Sequence, residues 1–360
     1  MVDENLDGKM ETWDQDLWQG IGLTYVSSME HYELASNLKI CRMLNGMWQV
    51  AGGHGPIDPK NAVEEMVKYH NAGFTTWDLA DIYGPAEDFI GAFRHSLPEQ
   101  ERQNIQALTK WVPEPQRITQ QITQASVERS LKRMGVSSLD LVQFHWWDYN
   151  NPYYIDAIKY LSHLRDEAKI IKNIGLTNFD TEHMQIIMKD AGLEIVVSNQ
   201  VQYSIVDRRP EVKMVRFCRE NKISLLAYGT VCGGLMSERY LGKPEPSSYE
   251  LDTSSLRKYK RMIDTWGGWE LFQELLSTLH QIAQKHGVSI ANVATRYILD
   301  RPAVAGVIIG VRLGIADHRD DNARAFSFRL EKDDTNSIEE VSKKSNDLFE
   351  TIGDCGDEYR

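Results

Sequence analysis

The 360-residue chain has little cysteine: four thiols, Cys41, Cys218, Cys232 and Cys355, lie far apart with no CxxC pair. That spacing argues against a zinc site or a disulfide framework and suits a reducing compartment. No apolar run approaches the ~20 residues needed to cross a bilayer. Positive charge is in deficit, with 40 Lys and Arg against 52 Asp and Glu, a net charge of −12. So acidic a surface repels nucleic acid and anionic membrane, and neither is expected as a partner. A phosphate-binding glycine loop is also missing. In QVAGGHGPID, Gly52, Gly53 and Gly55 do not make a GxGxxG, and the stretch reads as a flexible rim loop. The opening MVDENLDGKMETWDQDLW is acidic and polar. It has neither the basic start and apolar core of a secretion signal nor the Arg/Ser-rich character of a transit peptide. The expectation is a soluble, cytoplasmic protein.

What is present is a regular alternation. The composition, 42% hydrophobic and 26% charged, is that of an ordinary globular chain. From about Asn37, eight short apolar runs read as buried strands: CRMLNGMW, TTWDLA, IQALTKW, LDLVQFHW, IKNIGLTN, LEIVVSNQVQ, ISLLAYGT and AGVIIGV. Amphipathic segments lie between them. Val63, Met66, Val67 and His70 share one helical face before Gly73. Val127, Leu131 and Met134 repeat the pattern before Gly135, and Tyr154, Ile158 and Leu161 repeat it again. Strand alternating with helix means parallel pairing, and eight such units predict a closed (β/α)8 TIM barrel of the α/β class. The pattern breaks once. Residues 231–268 read as a long loop after the seventh barrel strand, followed by two helices. The expected organisation is an N-terminal extension over 1–36, the barrel over 37–330, and a C-terminal helix and tail over 331–360. The helix is expected from about Asp333 to Leu348.

Chemistry in a parallel barrel gathers where strands end. The polar residues at those ends are Asp78 followed by Tyr83, then Lys110, His145, Thr177 with Asn178, Asn199 with Gln200, and Tyr228. Asp78, Lys110, His145 and Asn178 lie 32, 35 and 33 residues apart, about one βα unit each, so they should meet on neighbouring strands. A tyrosine with a pKa of ~10 is a poor acid unless its phenolate is stabilised. A lysine ammonium does that, an aspartate keeps the lysine charged and aimed, and a histidine can hydrogen-bond a carbonyl oxygen. Together they form a proton donor aimed at an oxyanion, as reduction of a C=O requires. No side chain supplies a hydride, and a nicotinamide cofactor is the usual source.

DLADIY, TKW, LDLVQFHW, GLTNF, SNQVQYS and LLAYG, in this order and spacing, resemble the aldo-keto reductase superfamily over roughly Asn37 to Leu330. NGMWQ, FHWWDY, WGGW and GDCGDEYR further resemble a plant and algal subgroup. The resemblance implies a catalytic tetrad of Asp78, Tyr83, Lys110 and His145, with Tyr83 as general acid. It implies that Thr177, Asn178 and Gln200 hold the nicotinamide carboxamide and that Tyr228 stacks on the ring. In IGVRLGIADHRDDN it implies Arg312 on the 2′-phosphate of NADP(H), and Asn322, with Asp321 beside it, on the adenine. Leu313 and His318 stand where many relatives carry a serine and an arginine or glutamine, which leaves Arg312 to carry most of the preference for NADP(H).

The expected activity is NADPH-dependent reduction of a small-molecule aldehyde or ketone, by a monomer or homodimer with no metal. The rival reading is an NADP(H)-binding regulatory or scaffold subunit with little turnover. A barrel hydrolase is disfavoured, because Asp78 is the only acid among these strand-end groups. Singly, each of these residues has a plainer explanation in turns, caps or core packing. Trp48, Trp111, Trp146 and Trp147 all lie at strand ends, and either pack the rim or form an aromatic pocket for the substrate, with Trp146 and Trp147 unable to face the same way. His54 in the first loop is a further candidate for that pocket. Trp266 and Trp269 are candidates to fold over the cofactor.

Overall fold

The computed structural model describes residues 29–192 and 194–359; residues 1–28 of the expected extension lie outside the described residues. Eight parallel strands close into a barrel. They are β3 (Met43–Gly46), β4 (Thr76–Asp78), β5 (Gln106–Trp111), β6 (Leu141–His145), β7 (Ile174–Thr177), β8 (Ser198–Gln202), β9 (Ser224–Tyr228) and β10 (Val304–Gly310). Seven lie within their apolar runs and β10 starts one residue before its run; β10 pairs with β3 to close the ring. The (β/α)8 expectation is met.

Two further strands precede them. β1 (His31–Ala35) and β2 (Leu38–Cys41) form an antiparallel hairpin that begins inside the segment expected as an extension. Its Leu34, Leu38 and Ile40 pack against Leu44, Leu108, Leu141 and Leu226 of the barrel strands, forming an apolar floor. Glu30, just before β1, ion-pairs with Arg42 at 3.0 Å, Arg296 at 2.9 Å and Arg329 at 2.6 Å. Burial opposes ionisation there, but Arg296, Arg329 and Arg42 together hold the carboxyl below its usual range.

The two-residue period sorts each strand. On β6, Leu141 joins the floor, while Val142 and Phe144 belong to the cluster beneath the surrounding helices. Gln143 and His145 share the inward parity of Leu141. Several helices start on side-chain caps that accept backbone N–H groups: Asp58 from Asn61, Thr119 from Ile122, Asp180 from His183 and Ser289 from Asn292. Gly135 closes helix Gln120–Met134 with a φ of 65°, which costs a glycine nothing.

The 231–268 segment differs from the expected loop. Its second half is helix Ser254–Trp266, capped by Thr253. Leu256, Tyr259, Met262, Ile263 and Trp266 form its buried stripe, which the five charged residues of the same stretch obscure in the sequence. Trp266 is buried, and Trp269 donates its Nε1–H to the Lys243 carbonyl at 3.0 Å. Both tryptophans pack in the helical layer and neither lines the barrel cavity. The helix expected over 333–348 is shorter, Lys332–Ser342, and a separate short helix, Leu348–Ile352, begins where the expected one ends. Among the described residues no helix is long and apolar enough to cross a membrane.

Candidate active site

The strands end around one cavity, lined by Asp78, Tyr83, Lys110, His145, Thr177, Asn178, Gln200 and Tyr228 among others. At its base Asp78 is 3% exposed and Lys110 2%. Lys110 Nζ donates to Asp78 Oδ2 at 2.6 Å and to the Leu79 carbonyl at 3.1 Å. The other carboxylate oxygen accepts from Gln200 Nε2 at 2.7 Å and Gln143 Nε2 at 3.0 Å. Gln200 also reaches Gln143 Oε1 at 2.8 Å. A buried carboxylate is tolerated only when its oxygens are satisfied in this way. Gly175 makes room for the arrangement, because a Cβ there would come within 2.7 Å of Ser198 Oγ and 3.4 Å of Gln143 Cγ.

Tyr83 rides on the turn after β4, with the Lys110 ammonium 5.0 Å from its ring centroid. Burial, then the Asp78 charge, raises the phenol well above its ordinary pKa. Burial lowers Lys110, and Asp78 opposes that shift only in part. The turn itself is clamped. Arg133, from helix Gln120–Met134, donates to the Asp81 carbonyl at 3.2 Å and to the Gly84 carbonyl, and ion-pairs with Glu87 at 3.1 Å and Asp88 at 2.8 Å. Asp81 Oδ1 accepts from Val112 N–H at 3.2 Å, and burial together with Glu87 pushes the Asp81 carboxyl up to about 6.

Across the cavity, Asn178 holds a left-handed backbone with φ 56°, a conformation asparagine tolerates better than most residues. Its Nδ2 lies 3.4 Å from His145 Nε2, and its Oδ1 accepts from the Tyr228 hydroxyl at 2.9 Å. Thr177 Oγ1 is buried with no hydrogen-bond partner. Such an atom, on a residue that lines the cavity, fits a ligand that brings its own amide.

The remaining candidates divide. Trp48 lines the cavity. Trp111 and Trp146 do not: Trp111 packs on Phe144, and Trp146 is fully buried with its Nε1–H donated to the Asp148 carbonyl at 2.7 Å. The reason is parity. Lys110 and His145 face inward, so their successors face the helices, and Trp147 reaches the cavity instead. His54 is buried one layer back, edge-on to Trp48 at 5.1 Å and 2.8 Å from Ser255 Oγ. Arg312 follows β10 and is exposed. Asp321 is occupied, accepting from Ser289 Oγ at 2.9 Å and Asn292 Nδ2 at 3.1 Å, so it secures the start of helix Ile290–Leu299. Asn322 lies beside it, half-buried, on the short helix Arg319–Ala323.

Sequence reasoning missed four contributors. Gln143 was signalled by its position two residues before His145. Arg133 and Lys258 sit in helices with ordinary charge patterns. The C-terminal Tyr359 reaches the cavity from the far end of the chain. Its neighbour Glu358 ion-pairs with buried Arg209 at 2.9 Å, and Arg209 is paired in turn with Asp207 at 2.7 Å. Among the described residues no group of His, Cys, Asp or Glu forms a metal site.

A closed eight-stranded barrel with a buried Asp–Lys pair, a tyrosine and a histidine at its strand ends defines a class of barrel oxidoreductase. The Aldo/keto reductase family model matches residues 42–343, and the chain belongs to that family. It is 26% identical to Aldo-keto reductase YhdN of Bacillus subtilis over 296 residues, covering 79% of this chain and 85% of that protein. It is 22% identical to the NADH-specific methylglyoxal reductase of Escherichia coli over 337 residues, covering 86% and 96%. The fold matches the crystal structure of an aldo/keto reductase from Klebsiella pneumoniae in complex with NADP and acetate. That match has a TM-score of 0.66 and 19% identity, over 87% of this chain and 95% of that one.

Proposed function

We propose that the protein reduces an aldehyde or ketone to an alcohol at the expense of NADPH. The observation that carries this reading is the buried Asp78–Lys110 pair beside Tyr83, in a cavity that His145 also lines. When bound, a nicotinamide cofactor supplies the hydride that the carbonyl carbon takes up. Tyr83 delivers the proton to the carbonyl oxygen. Its raised pKa keeps the phenol protonated, so the donor is loaded at neutral pH. Lys110 stabilises the phenolate left behind, and Asp78 keeps Lys110 charged and aimed. His145 hydrogen-bonds the carbonyl oxygen and fixes its orientation.

Thr177, Asn178 and Gln200 would hold the cofactor's carboxamide, the unpartnered Thr177 hydroxyl being the clearest fit. Tyr228 would face the ring. The relatives differ in the nucleotide their names state, NADH-specific in one and complexed with NADP in another. The preference for NADPH therefore rests on Arg312, exposed and without an ion pair among the described residues, which would meet the 2′-phosphate.

Tryptophan fluorescence tests the reading, because Trp48 and Trp147 line the cavity. NADPH should quench more tightly than NADH, and Arg312→Ala should weaken NADPH by about tenfold, the loss of one charge-assisted contact. Tyr83→Phe should bind NADPH and fail to reduce any of a panel of carbonyls. Undiminished turnover in a well-folded Tyr83→Phe would sink the proposal.

A further inference from the structure

Lys258 has no part in the mechanism above, yet it stands on the cavity wall. Helix Ser254–Trp266 carries it in among three phenol rings, with Nζ 4.8 Å from the Tyr228 centroid, 5.3 Å from Tyr259 and 4.6 Å from Tyr359. It donates one hydrogen bond, to the Tyr359 hydroxyl. The ring faces fix the ammonium in place without neutralising it.

The charges on the cavity wall do not balance. Asp78 and Lys110 cancel each other at 2.6 Å. Lys258 has no carboxylate at ion-pair distance among the described residues. The acid it acts on is Glu358, the neighbour of Tyr359 on the tail. Burial pushes the Glu358 carboxyl up, and Arg209, then Lys258, hold it below its usual range. Its close partner is Arg209, at 2.9 Å. Glu358 takes none of the hydrogen-bond donors of Lys258, whose bond goes to the Tyr359 hydroxyl. An ammonium has three donors, and one is spent. Tyr359 spans the gap from this cation to the reacting side of the cavity, its ring 6.1 Å from His145 and 5.7 Å from Trp147. Lys258 therefore stands one phenol away from His145, and Arg312, the cation assigned to the cofactor, is not on this wall.

We propose that Lys258, caged by Tyr228, Tyr259 and Tyr359, recognises an anionic group, carboxylate or phosphate, on the carbonyl substrate. The inference rests on the proposed reductase activity and names its substrate class: carbonyl compounds that carry a negative charge a short distance from the C=O. The same chemistry is found in the cofactor's pyrophosphate, so the test separates the two sources.

The experiment compares 3- and 4-carboxybenzaldehyde with their neutral amides, 3- and 4-formylbenzamide, in the full-length enzyme with NADPH. The wild type should prefer an acid to its amide in kcat/KM by about tenfold, the worth of one charge-assisted hydrogen bond. Lys258→Met should lower that acid-to-amide ratio by about tenfold, and Lys258→Arg should retain it. An acid-to-amide ratio near one in the wild type, or a ratio that Lys258→Met leaves intact, overturns the inference and leaves the reductase reading standing. So does a tenfold loss of NADPH affinity in Lys258→Met with the ratio unchanged, which assigns the cation to the cofactor. No turnover of any of the four aldehydes removes the reductase reading and this inference together.

Discussion

Lys110→Met tests the electrostatic logic of the site through stability rather than activity. Asp78, 3% exposed, takes three hydrogen bonds, from Lys110 at 2.6 Å, Gln200 at 2.7 Å and Gln143 at 3.0 Å. The methionine removes the positive partner and leaves a buried carboxylate with two neutral amide donors. Breaking a buried ion pair from one side costs about 3–5 kcal/mol. A domain's total stability is about 5–15 kcal/mol, so the variant should fold but unfold at clearly lower urea. Asp78→Asn should cost less, because Lys110, whose pKa burial already lowers, can shed its proton.

In the double variant Asp78→Asn/Lys110→Met no charge remains. The asparagine Oδ1 can still accept from Gln143 and Gln200, and its amide can turn to the Leu79 carbonyl that Lys110 held at 3.1 Å. The double variant should therefore be more stable than Lys110→Met alone, with a coupling of about 2–3 kcal/mol in the cycle. Urea midpoints of the four proteins measure it. Additivity within about 0.5 kcal/mol would refute the reasoning, since it would mean the two side chains do not depend on each other for burial. All three variants should lose carbonyl turnover, so only stability separates pairing from catalysis.

Asp81 offers a pH test on the loop that carries Tyr83. Its carboxyl is raised to about 6, so between about pH 4 and pH 6 the folded state keeps a proton the unfolded chain releases, and stability falls as pH rises. Asp81→Asn should be more stable than wild type by up to about 3 kcal/mol at pH 7 and equal to it near pH 4, by urea unfolding. Glu30 has the opposite sign. Its folded pKa is lowered, so its stabilisation is present above the unfolded value of about 4.3 and is lost as pH falls through the folded value. Glu30→Gln should be destabilised at pH 7, and the gap to wild type should close on acidification. Arg133→Met releases the Asp81 and Gly84 carbonyls on the Tyr83 turn. If the turn positions the proton donor, kcat should fall by about tenfold or more with KM for the carbonyl little changed, and a preserved kcat would show that the turn holds itself.

Much of the fold was legible because its signals are local. Eight apolar runs at one βα spacing reported eight strands, and the polar residue at each run's end reported the cavity's base. Helix Ser254–Trp266 was harder to see, because its charged face dominates the composition of TSSLRKYKRMIDTW. Hairpin β1–β2 was missed because it merges with the first barrel run, and its apolar residues make sense only as a floor beneath the barrel. The inward parity of His145 contained enough information to favour Trp147 over Trp146 and to find Gln143, since neighbours on a strand alternate.

The sequence alone determined which residues reach the mouth of the barrel, since strand period and crossover length are properties of nearby residues. Only the tertiary structure decided what closes over them. Lys258 meets Tyr359 across 101 positions, Tyr228 meets it across 131, and Arg209 takes up a tail that begins 145 positions further on. Contacts at such separations leave no periodicity in the chain. They are set by where the long segment after β9 and the C-terminal tail come to rest, and that depends on packing against a barrel that must already be built.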